Sequence, residues 1–260
     1  MKNARSAVTL EPTTLAYLAE GLLAQAALVT GTVRRSSLAV VVYATVDDFR
    51  AQTHAPKWAG GLYDGAVRIP ARASAAFGLD LDALRHELMH AQLHAGVGCM
   101  PAWLDEGLAQ YFARDVPETE WLKMLNGEPA PSVVAMQVSA IEDVDGFEPD
   151  VAYAQSLAMV MLAIEHASNI PDLLRELRRG PPRELWHRIL PGAGDRDVLE
   201  ALSRRLFGLP VARAAEELTG TGVCCAREGI TLTCRAARKR PSSRTMWFED
   251  REMCQVLDAR

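Results

Sequence analysis

Apolar positions recur at helical spacing through residues 12–29, where Leu15, Leu18, Leu22 and Ala26 or Leu28 make one stripe; this predicts a first helix. "SAVTL" (6–10) before it reads as a short strand. "SSLAVVVYAT" (36–45) is a β-branched run bounded by Arg34-Arg35 and the acidic pair Asp47-Asp48, so a strand is expected there. A short helix is expected over 47–53. "GGLYDGAVRIP" (60–70) then alternates around a glycine-containing turn, the pattern of a hairpin or edge strand. Residues 81–95 have apolar residues at helical spacing and neither Gly nor Pro, and Gly96 and Gly98 stop the run. Pro101 opens another helical stretch, "PAWLDEGLAQYFA", with Trp103, Leu104, Leu108 and Tyr111 or Phe112 as its apolar face. Residues 131–150 carry an Asp/Gly cluster and read as a loop with weak helical content. Helices are expected near 151–168, 171–179, 182–190, 195–206 and 210–218, and no internal repeat is evident. The fold class that follows is α+β: a small N-terminal mixed sheet with helices over about 1–95, then a helical lobe over about 96–220.

Composition narrows the class without naming a function. At 260 residues, with 49% hydrophobic and 23% charged positions, the chain has the balance of an ordinary globular protein with a full core. A net charge of −5 gives no reason to expect nucleic acid or an anionic membrane surface as partner. No run reaches the ~18 uncharged apolar residues of a membrane span. "MKNARSAVTL" lacks the apolar core of a signal peptide. The sequence as it stands therefore reads as cytoplasmic, with export expected only if the start is truncated.

The chemistry concentrates in "RHELMHAQLHAGVGCMPAWLDEGLAQYF" (85–112). Three of the chain's six histidines, His86, His90 and His94, fall within nine residues. On a helix His86 and His90 are about one turn apart on one face, where two imidazoles can share a tetrahedral zinc ion. Glu87 is about 100° further round, a poor third ligand but well placed to act on a metal-activated water. H-E-x-x-H in a helix is the zinc metallopeptidase signature, with Glu as general base. Glu106 follows 16 residues after His90. A helix, a short turn and a second helix bring its carboxylate back to the imidazoles, giving a His2Glu set with one position open for water. His94 reads as a surface or supporting residue, because a third histidine ligand of metzincin type belongs six residues after His90, at Gly96. Asp105 reads as a capping or orienting group. His54, His166 and His187 have no partners at ligand spacing.

"HELMH" followed by "PAWLDEGLAQYF" resembles the gluzincins, and most closely the peptidase MA-like metallohydrolases, with H-E-x-x-H and then P-x-W-L-x-E-G-x-A-x-Y/F. The resemblance extends to "GGLYDGAVRIP", similar to the strand before the zinc helix, and to "YAQSLAMVMLAIEH" (153–166), similar to the helix after the site. It implies a zincin-like fold over 1–220 with the active-site cleft between the two lobes. It also implies one zinc per chain on His86, His90 and Glu106, and Glu87 as base. Tyr153 would be the oxyanion donor, since a phenol stays neutral near pH 7 and can donate a hydrogen bond; otherwise it is a tyrosine anchoring a core helix. The implied substrate is a peptide or protein. The lack of a glutamate in "GGLYDG" tilts the expectation from aminopeptidase to endopeptidase. A zincin-like domain that has lost catalysis and serves as a binding or scaffold module is the alternative, although neither ligand nor base is missing. Oligomeric state is not legible.

The last forty residues differ. Residues 221–260 hold Cys224, Cys225, Cys234 and Cys254, four of the five cysteines, and eight Lys/Arg against five Asp/Glu. That charge is +3, leaving −8 on the rest of the chain. No C-x-x-C pair occurs, so a zinc ribbon is not expected. An odd cysteine count with an adjacent pair argues against a disulfide framework. A basic, poorly ordered tail is expected.

Overall fold

Each early helix has a local reason to start and stop where it does. In the computed structural model, α1 (Pro12–Thr30) opens with proline in its first turn and closes on Gly31, whose φ of 65° is the left-handed conformation that suits glycine. β1 (Val40–Tyr43) leads to α2 (Val46–Thr53), capped by Thr45, whose hydroxyl accepts from the Asp48 N–H at 3.0 Å. β2 (Leu62–Tyr63) and β3 (Val67–Pro70) form the hairpin, and α3 (Leu81–Gly96) follows. Described are residues 11–33, 37–72, 78–114, 117–138, 140–141, 144–207, 222–228, 231–236, 247–249 and 252–256. The strand expected at 6–10 and the helix expected at 210–218 lie outside them.

The chain divides into two compact units, Met1–Cys99 and Met100–Arg260. The first carries a three-stranded sheet of order β1-β3-β2, with β1 parallel to β3 and β2 antiparallel to it. The sheet is therefore mixed, as expected, and β2 is an edge strand. Val67 and Ile69 of β3 are fully buried with Ala19 and Leu22 of α1 and Leu84, Leu88 and Ala91 of α3. Spacing of four and three residues puts that α3 trio on one face. At the other end of α1, Gln92 donates to the carbonyl of Thr32 at 2.7 Å and to its hydroxyl at 2.9 Å. Gly96 is packed so tightly there that a Cβ would meet Thr32 Oγ1 at 2.6 Å. Across the hairpin turn Arg68 Nε reaches Asp64 at 2.8 Å, while its Nη1 donates to the Tyr43 hydroxyl at 2.9 Å. Partial burial acts to raise the Asp64 carboxyl, but hydrogen bonds from Arg68 and the Ala66 N–H outweigh it and hold it below its ordinary value.

The second unit is mostly helical: α4 (Ala102–Ala113), α5 (Glu118–Leu125), α6 (Pro149–Ala167), α7 (Ile170–Leu177), α8 (Leu185–Ile189) and α9 (Asp195–Phe207). The sequence pattern gives no sign of α5. It is only 8 residues long, yet it buries Trp121, Leu122 and Met124, and the Trp121 indole donates to the Ala154 carbonyl of α6 at 2.9 Å. α6 is buried along most of its length, and Trp103 of α4 meets Trp186 of α8 edge to face at 5.5 Å between ring centres. Within 221–260, where a basic tail is expected, the described backbone carries β4 (Gly222–Glu228), β5 (Thr231–Ala236), β6 (Trp247–Glu249) and β7 (Glu252–Val256), antiparallel in the order β5-β4-β7-β6. Short strands broken by cysteines and charges hide the alternation that would have announced them. Among the described residues no helix is long and apolar enough to cross a membrane.

α4 and α6 approach backbone to backbone at Gly107, where a Cβ would lie 2.4 Å from the Ser156 carbonyl oxygen and 2.5 Å from Val160 Cγ2. Neither helix can yield without disturbing a buried surface. Gly107→Ala is therefore expected to destabilise the protein by about 1–3 kcal/mol or more, despite the better helix propensity of alanine. A chemical denaturation midpoint equal to that of the wild type would show that the two helices are not held at this distance.

Candidate metal centre

The histidine-bearing helix must satisfy two opposite demands. Its core face is set by Leu84, Leu88 and Ala91; His86, two residues beyond Leu84, is about 200° round the axis from it. The imidazoles thus turn away from the sheet because the leucines turn towards it. Asp80 caps the helix, its carboxylate accepting from the N–H groups of Asp82 at 3.2 Å and Ala83 at 3.1 Å. That cap fixes where the helix begins and so the azimuth of every residue after it.

Along the helix the three rings form a column. His86 and His90 have ring centres 4.8 Å apart with planes at 70°, and His90 and His94 are 6.1 Å apart at 76°. His94 is exposed at its surface, and its ring meets that of Tyr63 on β2 edge to face at 5.4 Å. His90 is 8% exposed and Glu87 7%. Two ionisable side chains are therefore nearly buried on adjacent faces of one helix, a placement that costs free energy unless each is partnered. Glu87 is folded against the hairpin side, its Cγ and Oε1 within 3 Å of where a Cβ on Gly61 would stand.

α4 supplies the carboxylates. It begins at Ala102, six residues after α3 ends at Gly96, and carries Asp105 and Glu106. Two trios of potential ligand atoms result, His86 with His90 and Glu106, and His90 with His94 and Asp105, the atoms of each trio lying within 4.8 Å of one another. The sequence expectation named the first trio; it did not foresee that the Asp105 carboxylate would come near His90 and His94. Donors about 2.1 Å from one ion cannot be more than about 4.2 Å apart, a limit close to the spacing found in each trio. Two imidazoles and a carboxylate form the borderline-hard donor set that suits zinc.

The remaining expected residues stand on other elements. Tyr153 is on α6, half-buried, three residues before the Ser156 carbonyl against which Gly107 packs. Glu106 immediately precedes Gly107, so the close approach of α4 and α6 fixes the backbone beside both side chains. His54 ends α2 in the left-handed conformation, His166 Nδ1 lies 3.1 Å from the Leu162 carbonyl oxygen, and His187 is exposed. None of these three joins a cluster of potential ligands among the described residues.

The chain matches no protein-family model, and searches of curated proteins and of solved structures find no match either.

If one cation is shared by the imidazoles of α3, titration of the protein with zinc should saturate at about one equivalent, because both trios need His90. His90→Ala is expected to abolish that binding, measured by calorimetry. Retention of a full equivalent without His90 would remove this cluster from consideration.

Proposed function

We propose that this protein is a zinc-dependent hydrolase of peptide bonds. The observation that carries the reading is the juxtaposition of one His2Glu set of potential ligands with a nearly buried carboxylate, Glu87, on the same helix. A structural zinc site needs four protein ligands and no neighbouring base. Here the first trio leaves a position open, and Glu87 is the group that a hydrolytic site adds.

His86, His90 and Glu106 would hold the metal. Of the two trios this one is favoured because His94 is exposed and its ring packs on Tyr63. His94 and Asp105 then support the site from outside the ligand set. Bound zinc would supply Lewis-acid polarisation of the scissile carbonyl and lower the pKa of water towards ~7. Glu87 accepts the proton of the attacking water as oxygen bonds to the carbonyl carbon, and returns it to the nitrogen as the C–N bond breaks. Its burial keeps competing water away from the carboxylate and ties its orientation to the helix. Tyr153 donates its phenolic hydrogen to the carbonyl oxygen as negative charge develops there. β2, an edge strand among the described residues, is where an extended peptide would add as a further strand. Peptide binding by backbone in this way suits an endopeptidase, since nothing in it requires a free amine.

Glu87→Gln separates this reading from a binding module. It keeps size and part of the hydrogen bonding but removes the base, so zinc content and melting temperature are expected to persist while hydrolysis of a diverse peptide library falls by at least ~10²-fold. Equal inactivity of wild type and Glu87→Gln, both loaded with zinc, would replace the hydrolase with a zinc-containing scaffold.

Substitutions around the base test the assigned roles. Glu106→Ala is expected to weaken zinc binding together with stability, whereas His94→Ala should keep about one zinc. Tyr153→Phe should keep the metal and lower kcat by no more than the ~10²-fold typical of one lost oxyanion donor. A Tyr153→Phe enzyme with unchanged kcat would return this residue to a packing role.

A further inference from the structure

Gly61, just before β2, is buried, and its φ lies outside the left-handed region. Backbone conformation therefore does not require glycine there; space does. A Cβ on Gly61 would stand 2.7 Å from Glu87 Cγ, 2.9 Å from Glu87 Oε1 and 2.7 Å from Ile69 Cδ1. Real Cβ atoms do not sit that close to carbon or oxygen, so one of these groups would have to move. At the neighbouring Gly60 a Cβ would meet Arg72 Nη2 at 3.5 Å and the Ala83 methyl at 3.6 Å, ordinary contacts. Of two consecutive glycines, only the second is pressed against the carboxylate.

We propose that Gly61 is a positioning residue for Glu87: its missing side chain leaves the slot in which the carboxylate lies, and its backbone is one wall of that slot. The proposal rests on Glu87 being the general base and adds how the base is aimed. A glutamate side chain has three rotatable bonds, and that of Glu87 runs close against the Gly61 backbone on the hairpin side. Ile69 is held from below by the core it shares with α1 and α3. An added methyl would therefore displace the more mobile neighbour, the carboxylate. A shift of about 1 Å in a reacting group costs on the order of 10²-fold in rate. The effect belongs to kcat, because the displaced group takes no part in holding the peptide backbone.

Four variants of the full chain test this: Gly61→Ala, Gly60→Ala, Gly61→Ala with Ile69→Val, and Gly61→Ala with Glu87→Ala. Gly61→Ala is expected to keep one zinc and a KM within about threefold of wild type, with kcat lower by ~10²-fold. Gly60→Ala should change kcat by less than about twofold, since its methyl meets nothing closer than ordinary contact. Ile69→Val removes the Cδ1 contact alone and should not restore kcat. Independently of activity, the fall in melting temperature caused by Gly61→Ala should shrink by at least half when Glu87 is already alanine. Full recovery of kcat by Ile69→Val would overturn the proposal, because Ile69 would then be what the glycine accommodates. Equal falls in melting temperature with and without the Glu87 side chain would overturn it whatever the activity. Melting coupling in a protein whose wild type cleaves no peptide would uphold Gly61 as the residue that positions Glu87 and would instead remove the hydrolase reading.

Discussion

One helix sets the geometry on which the candidate centre depends. α3 has to bury Leu84, Leu88 and Ala91 against the sheet and, at 3.6 residues per turn, this alone decides where its polar residues point. His86 and His90 emerge on the far side, while Glu87 is left on the shoulder beside the hairpin. A slip of one residue in the packing of α3 would rotate every group by about 100° and bury an imidazole in place of a leucine. The Asp80 cap and the tie from Gln92 to Thr32 act at opposite ends of the helix to hold it in that register. Burial of apolar side chains thus does the aiming, and the polar groups take the directions that remain.

Glycine does the complementary work where two elements must come closer than side chains allow. Gly96 admits Thr32 at the end of α3, Gly107 admits the α6 backbone against α4, and Gly61 admits the Glu87 carboxylate against the hairpin. None of the three has a positive φ, so each is a matter of space and not of turn geometry. Two of them border residues with proposed chemical roles. Gly107 follows Glu106 directly, and Gly61 touches Glu87. Close approach holds the backbone beside Glu106 and leaves the Glu87 side chain against a wall of backbone, which is how preorganisation is built from packing.

Much of this was legible in the residues. The periods of 3.6 and 2 found α1, α3, α4 and the hairpin, because each has an apolar stripe with a glycine or proline boundary. The paired histidines with an intervening glutamate fixed the candidate ligands, since i and i+4 share a face whatever surrounds the helix. What escaped was set by tertiary contact. α5 is too short and polar-ended to carry a pattern, and its tryptophan finds its partner in a carbonyl 33 residues away. The strands over 222–256 alternate too weakly between cysteines and charges. Asp105 reads as a cap when only α4 is considered, because nothing in its own helix marks it as a member of a second trio of potential ligand atoms. "GG" at 60–61 gives no hint in sequence that one glycine is surrounded by ordinary space and the other by a carboxylate.

The claim that everything else leans on is that His86, His90 and Glu106 share one zinc ion. Zinc-edge X-ray absorption on protein purified without chelators, alongside His94→Ala and Glu106→Ala, addresses it most directly. Two imidazole nitrogens and oxygen ligands at about 2.0–2.2 Å are expected. That spectrum should be unchanged by His94→Ala and should lose intensity or zinc itself with Glu106→Ala. A wild-type protein without zinc, or a spectrum that loses an imidazole with His94→Ala and ignores Glu106→Ala, would contradict it.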